Sequence, residues 1–320
     1  MVEQYISSKD LLEKNIPKPT WLVQDIVQNS GLSTIAGVYK CSKTFFALYL
    51  AICVSKGLPV FNKETIKGRV LYIDEENGEI DMQDRVKRIM QGMDLKDVDI
   101  DFMIYKNIKL EHNKDKMRRN IHIKMLQDYI KDRQPVLIIC DSMVRFMCGD
   151  ENSAKDVREV FDFIKPFKKE CAWLLLHHTP KSNTGDARGS GDWFGQCDEA
   201  LIMDRIGKNK FKLKHKASRH NTWLYGEKYE IVGEENMPIT FNYLGADEKM
   251  DEGKVSDTLG KLITKWYSND ELNEFKRQDV NKQFKKWAPS TITNALNLLC
   301  DDLVLDRSGK TKNTIYKVIG

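Results

Sequence analysis

Three features of this sequence predict an α/β fold. Short runs of Val, Ile and Leu alternate with helical patterns through the first two thirds of the chain. A glycine-led turn ending in Lys43-Thr44 joins the first well-formed run to a helix. The last 65 residues change character and read as helices followed by a hairpin. Together these predict a doubly wound α/β domain with a mostly parallel sheet, and a small second domain behind it.

In chain order, Asp10–Lys14 has a short helical pattern, and Pro17-x-Pro19 is extended and leads to Trp21. Strands are expected at Leu32–Ala36, Arg69–Ile73, Asp101–Ile104, Pro135–Cys140, Ala172–Leu176 and Glu199–Met203. Several are apolar throughout, as strands buried on both faces of a helix-covered parallel sheet are. Helices are expected between them at Thr44–Lys56, Ile80–Gln91, Lys116–Lys131 and Ala154–Glu170. After Met203 the pattern becomes antiparallel, with Phe211–Ala217, Lys228–Val232 and a possible third strand at Ile239–Tyr243. A polar stretch with Gly245 and Gly253 at its ends marks a linker, which gives domains of 1–245 and 256–320 around a linker of 246–255. Beyond it, Asp257–Tyr267, Arg277–Lys286 and Thr291–Leu303 read as helices. Leu303–Asp306 and Thr314–Ile319 flank a polar turn. Three helices and a terminal hairpin are the order of a winged helix-turn-helix.

Composition narrows the classes. The 320 residues are 31% charged and 41% hydrophobic, which fits a folded chain. No stretch approaches the ~20 apolar residues of a membrane span, and Met1–Gln4 does not begin a signal peptide, so no membrane partner is expected. The seven cysteines are scattered, with no Cys-x-x-Cys pair, so a reduced, cytoplasmic protein is expected. Net charge is +4, and Lys254–Gly320 alone holds 12 Lys/Arg against 8 Asp/Glu, so the whole surplus lies in the C-terminal segment.

Gly37-Val38-Tyr39-Lys40-Cys41-Ser42-Lys43-Thr44 follows an apolar strand and opens a helix. The phosphate-loop form is G-x-x-x-x-G-K-[ST], with Ser42 in place of the second glycine. In that reading Gly37, Lys40, Cys41, Ser42, Lys43 and Thr44 surround ATP, with Lys43 at the β/γ-phosphates and Thr44 on Mg²⁺. The plainer reading is an ordinary strand–helix turn. Leu137-Ile138-Ile139-Cys140-Asp141 is an apolar strand ending in an acid, suited to the magnesium side or to a helix N-cap. A third strand ends in Asp74-Glu75-Glu76-Asn77, where a carboxylate would polarise an attacking water or merely be solvated. A fourth ends in His177-His178-Thr179, read as a polar sensor for the γ-phosphate rather than a metal site.

These four strand ends resemble the RecA/DnaB-type P-loop ATPases, and within them the RepA-like hexameric helicases. The likeness runs over residues 7–243. It begins at Ile16-Pro17-Lys18-Pro19-Thr20-Trp21-Leu22-Val23 and continues through Gly31–Gly37 into the loop, where Lys40 and Lys43 both match. It implies a RecA-like core, with Glu76 (or Glu75 next to it) activating water and Asp141 as the acid on Mg²⁺. It assigns His178 as the second histidine of the pair, with Lys181 in the following loop. Asp141–Phe146 and then Gly149–Asn152 are similar to the family's pattern after that acid. Arg188, in Asp186-Ala187-Arg188-Gly189-Ser190-Gly191, corresponds to an arginine reaching a neighbour's nucleotide, or is a loop arginine near DNA or solvent. Lys216-Ala217-Ser218-Arg219-His220 is similar to a strand-end motif facing a subunit interface. Ser42 departs from the family's glycine, which bears on turnover more than on fold.

Two segments bear on DNA. Arg205–Arg219 carries seven Lys/Arg and no acid, with Lys208, Lys210, Lys212, Lys214 and Lys216 alternating. That suits a lysine-protected edge strand, a phosphate-tracking surface or a subunit interface. In the C-terminal domain, Thr291–Leu303 is the expected recognition helix. Lys282, Lys285 and Lys286 precede it, Thr293, Asn294 and Asn297 face base edges, and Arg307, Lys310 and Lys312 mark the wing. Winged helices also bind proteins. The expected function is an ATP-dependent, Mg²⁺-using, DNA-acting ring motor, a homo-hexamer working in DNA replication or repair. The alternatives are a nucleotide-switched DNA-binding regulator with slow or no hydrolysis and, behind it, a recombinase-like filament.

Overall fold

The computed structural model describes residues 6–15, 20–104, 116–147, 149–179, 192–219, 224, 226–234, 236–247, 252–269, 274–284, 289–301, 304–308 and 314–319. The chain divides into two compact units, Met1–Asp247 and Glu248–Gly320.

The first unit opens with α1 (Ser8–Glu13) and a small antiparallel pair, β1 (Trp21–Val23) and β2 (Val27–Gln28). Then follow β3 (Leu32–Gly37), α2 (Lys43–Lys56), β4 (Val70–Asp74), α3 (Glu79–Gly92), β5 (Ile100–Ile104), α4 (Lys116–Arg133), β6 (Leu137–Asp141), α5 (Met143–Phe146), α6 (Ala154–Ile164), β7 (Ala172–His178), α7 (Asp192–Gln196), β8 (Glu199–Gly207), β9 (Lys210–Ser218), β10 (Glu227–Val232) and β11 (Thr240–Ala246). Among the described residues, β3 to β11 form one nine-stranded sheet in the order β11-β10-β9-β8-β3-β7-β6-β4-β5. From β8 to β5 all pairings are parallel, and β9, β10 and β11 add antiparallel strands on the β8 side.

Strand periodicity divides the core. Val70, Tyr72, Leu137, Ile139, Leu174 and Leu176 face α2 and α3, whereas Leu71, Ile73, Ile138, Cys140, Trp173 and Leu175 face the opposite layer with α6. The helix α2 is buried on nearly all sides, which is why its sequence is apolar all round. Phe46 and Tyr49 of this helix stack with Phe61, Tyr229 and Phe241, so the antiparallel extension wraps the helix that begins at the phosphate loop.

Several expectations shift. The helix expected to Glu170 ends at Ile164, because Pro166 has no N–H with which to continue the ladder; Lys165 before it still has helical backbone, and turns follow. The lysine strand β9 is not an edge strand, since β8 and β10 flank it. β11 runs to Ala246, the first residue of the expected linker, and α8 (Glu252–Asn269) begins inside it.

The second unit comprises α8, β12 (Glu274–Lys276), α9 (Arg277–Gln283), α10 (Pro289–Asp301), β13 (Leu305–Ser308) and β14 (Ile315–Val318), with an antiparallel sheet ordered β12-β14-β13. Its core joins Leu259 and Ile263 of α8, Phe275, Val280, Ile292 and Leu296 of α10, Leu305 and Tyr316. β12 had no separate sequence signal. Among the described residues, no helix is long and apolar enough to cross a membrane.

Candidate nucleotide site

The carboxyl ends of β3, β7, β6 and β4 are neighbours in the sheet, and parallel register brings their last residues level. Gly37 pairs with His178, and Asp74 with Asp141. Ligands of open α/β sheets bind at such strand ends.

Gly37 closes β3 where no side chain fits. A Cβ there would lie 2.6 Å from both the Met203 carbonyl oxygen and Cys41 Sγ. The loop then needs left-handed backbone at two non-glycine residues, Lys40 (φ 60°) and Ser42 (φ 64°, ψ 26°). Ser42 thus adopts the conformation for which a glycine is the usual choice. Its side chain makes no cap bond, so it does not occupy the backbone N–H groups at the start of α2.

Lys43 is buried at the base of the loop. Its Nζ donates to the carbonyls of Gly37 (2.8 Å) and Val38 (3.2 Å) and lies 3.4 Å from Nδ1 of His178. Thr44 Oγ1 donates to Asp141 Oδ2 at 2.7 Å, and Tyr72 OH donates to the same oxygen at 2.9 Å. Burial pushes the Asp141 carboxyl up to about 6 against those two donors, and the Asp74 and Glu76 charges push the same way. A hydroxyl and a carboxylate side by side are the hard oxygen ligands that Mg²⁺ takes, so the donor set fits that ion. Among the described residues, no group of three or more His, Cys, Asp and Glu could hold a metal by itself.

Glu76 lies on the turn between β4 and α3. Its Oε2 is 3.6 Å from His178 Nε2. The nearby His178 and, after it, Ser142 hold the Glu76 carboxyl down at about 2, despite partial burial. If Lys43 donates to Nδ1, the imidazole proton is on Nε2 and faces the glutamate. The two histidines of β7 therefore differ as a strand requires. His178 faces this cleft, and His177 is buried on the other side, stacked on Trp193 at 4.3 Å.

Lys40, Cys41, Ser42, Lys43, Thr44, Glu76, Asp141 and His178 all line one cleft of about 330 Å³. Four residues of the cluster were not singled out from sequence. Tyr72 bonds Asp141, and Asp74 accepts from the backbone of the turn that carries Glu76. Asn77 accepts from Arg85, whose guanidinium covers the Phe45 ring at 5.3 Å. Asp74, a strand-end acid four residues before Gly78, had a local turn signal. Tyr72 and Arg85 had none.

Arg188 and Lys181 fall outside the described residues, as do Lys285, Lys286, Lys310 and Lys312. Asn294 is exposed on α10. Arg307 is exposed on β13 and donates to Asn297 Oδ1 at 3.0 Å. Arg219, in the motif expected to face a subunit interface, donates to the Gly195 carbonyl of its own chain at 2.9 Å. Lys210, Lys212 and Lys214 of β9 lie near Glu230 (4.0 Å), Asp247 (3.4 Å) and Asp204 (2.8 Å), so acids offset much of this row.

The chain has no match among curated proteins. A family model described as an AAA domain matches residues 4–184, more than half of the chain, and its span covers the phosphate loop, Glu76, Asp141 and His178. Loop, acid and match agree: the chain belongs to the AAA-domain family of P-loop ATPases.

Proposed function

We propose that this protein is an ATP-hydrolysing, DNA-acting ring motor of the RepA-like kind. The observation that carries the reading is the convergence of Lys43, Thr44, Asp141, Glu76 and His178 in one cleft. Lys43 exchanges its carbonyl partners for the β- and γ-phosphate oxygens of ATP. The backbone N–H groups of the loop and the start of α2 cradle the β-phosphate. Thr44 and Asp141 hold Mg²⁺, which when bound neutralises charge developing on the phosphate oxygens. Glu76, ionised at neutral pH, orients the attacking water. His178, between Lys43 and Glu76, responds to the γ-phosphate.

Arg188 supplies positive charge to the nucleotide of a neighbouring subunit, so the active form is a homo-oligomer, a hexameric ring. AAA domains often assemble into rings, which supports the assembly without fixing its size. The second unit acts as a winged helix on DNA. Its element order, exposed Asn294 and Arg307, and the positive surplus of Lys254–Gly320 support this reading. Lys285, Lys286, Lys310 and Lys312 add phosphate contacts, and DNA replication or repair is the setting.

The test is the ATPase rate of the whole chain with and without single-stranded DNA, with mass measured in the same buffer and unwinding followed on a forked duplex. The reading expects a hexamer, stimulation by DNA and strand separation, and an Arg188→Ala variant that binds ATP but does not turn it over. A monomer whose hydrolysis ignores DNA, or normal turnover by Arg188→Ala, contradicts it.

A further inference from the structure

Glu76 has no regular secondary structure of its own, and its place is set by what the turn is bonded to. One side chain accepts most of that turn's N–H groups. Asp74, the last residue of β4, is wholly buried. Its Oδ1 accepts from the Asn77 side chain (2.7 Å) and, at longer range, from the N–H groups of Asn77 (3.3 Å) and Glu76 (3.4 Å). Its Oδ2 accepts from the N–H groups of Asn77 and Gly78, both at 3.0 Å. A buried carboxylate is unfavourable unless hydrogen bonds satisfy it, and here the donors come from the turn itself.

The same turn is tied at its other side. Asn77 Oδ1 accepts from Arg85 Nη1 at 2.7 Å, and Arg85 covers Phe45, the residue after Thr44. The backbone of Glu75 also donates to the Asp141 carbonyl at 2.9 Å. The turn is thus fastened to the sheet through Asp74 and to the first turn of α2 through Arg85. The Glu76 carboxylate makes none of these bonds and instead meets His178 and Ser142.

The geometry points to Asp74 as a positioning residue for hydrolysis, with Asn77 and Arg85 bracing it, so that Glu76 is held opposite His178. This rests on the reading of Glu76 as the residue that orients water. Asp74 acts only through Glu76 and touches no reacting atom. An amide cannot replace it: one oxygen becomes an NH₂ group that confronts the N–H groups of the turn.

The experiment is a double-mutant cycle in the full chain, with kcat and KM for ATP measured for Asp74→Asn, Glu76→Gln and the pair. Asp74→Asn is expected to lower kcat at least tenfold and leave KM within threefold. In the Glu76→Gln background the same change is expected to lower the residual kcat less than twofold. An equal loss in both backgrounds, an unchanged kcat in the wild-type background, or a KM shift as large as the kcat loss overturns the proposal. Wild-type turnover by Glu76→Gln alone overturns the reading of Glu76 itself, which separates the two failures. If Asp74→Asn does not fold, Asn77→Ala removes the Asn77 link alone and is expected to show the same split and the same non-additivity.

Discussion

His178 Nε2 lies 3.6 Å from Glu76 Oε2, while Nδ1 of the same ring lies 3.4 Å from the Lys43 ammonium. One imidazole therefore joins the phosphate loop to the acid on the neighbouring turn. Its closeness to the ionised glutamate favours the charged form and, with Ser142, draws the carboxyl down to about 2. Removing the ring lets that value rise. In His178→Ala the Glu76 carboxyl is expected to titrate about 1 to 2 pH units higher than in the wild type. A carboxyl-carbon NMR titration measures it, and an unchanged midpoint contradicts the coupling.

Asp141 has the opposite shift. Its carboxyl is pushed from 3.8 up to about 6 by burial. The folded chain thus holds a proton that the unfolded chain has already released. Stability from this group falls as pH rises from about 4 to about 6 and stays lower above it. Asp141→Asn removes the charge. Without nucleotide, that variant is expected to be more stable than the wild type at pH 7.5, by up to roughly 2–3 kcal/mol. The gap should close below pH 4, and hydrolysis with Mg²⁺ should fall at least about a hundredfold. Thermal melts at the two pH values read the first effect. A variant that melts lower at pH 7.5 contradicts it.

Ser42 is held at φ 64° with no side-chain bond to repay the conformation. Left-handed backbone costs an L-residue about 1–2 kcal/mol, part of which glycine returns as entropy of the unfolded chain. Ser42→Gly is expected to raise the melting midpoint by about 1–4 °C and to leave turnover equal or higher. A lower midpoint would mean that the serine side chain stabilises the loop.

Sequence reading reached the parts of this site that are local. The phosphate loop is eight contiguous residues, Asp141 ends a run of apolar residues, and Gly37 and Thr44 have fixed spacing. What the sequence left open depends on elements far apart in the chain. Tyr72 bonds a carboxylate 69 positions away, and Arg85 reaches Asn77 and Phe45 only because α3 packs beside α2. Of Glu75 and Glu76, both acidic and adjacent, only the structure shows which faces His178. For the alternating lysines of β9 an edge strand is one of three readings, and it is the one the sheet order removes, because spacing along one strand carries no information on what flanks it. Pro166 did carry a signal, and the helix ends two residues before it.

The central claim is that this cleft hydrolyses ATP, with Lys43 gripping the phosphates. Phosphate release from Mg²⁺-ATP by the wild type and by Lys43→Ala tests it most directly. The account predicts steady release by the wild type and a loss of at least about a hundredfold in the variant, with its melting midpoint little changed. Equal rates in the two proteins, or no release by the wild type, would contradict it.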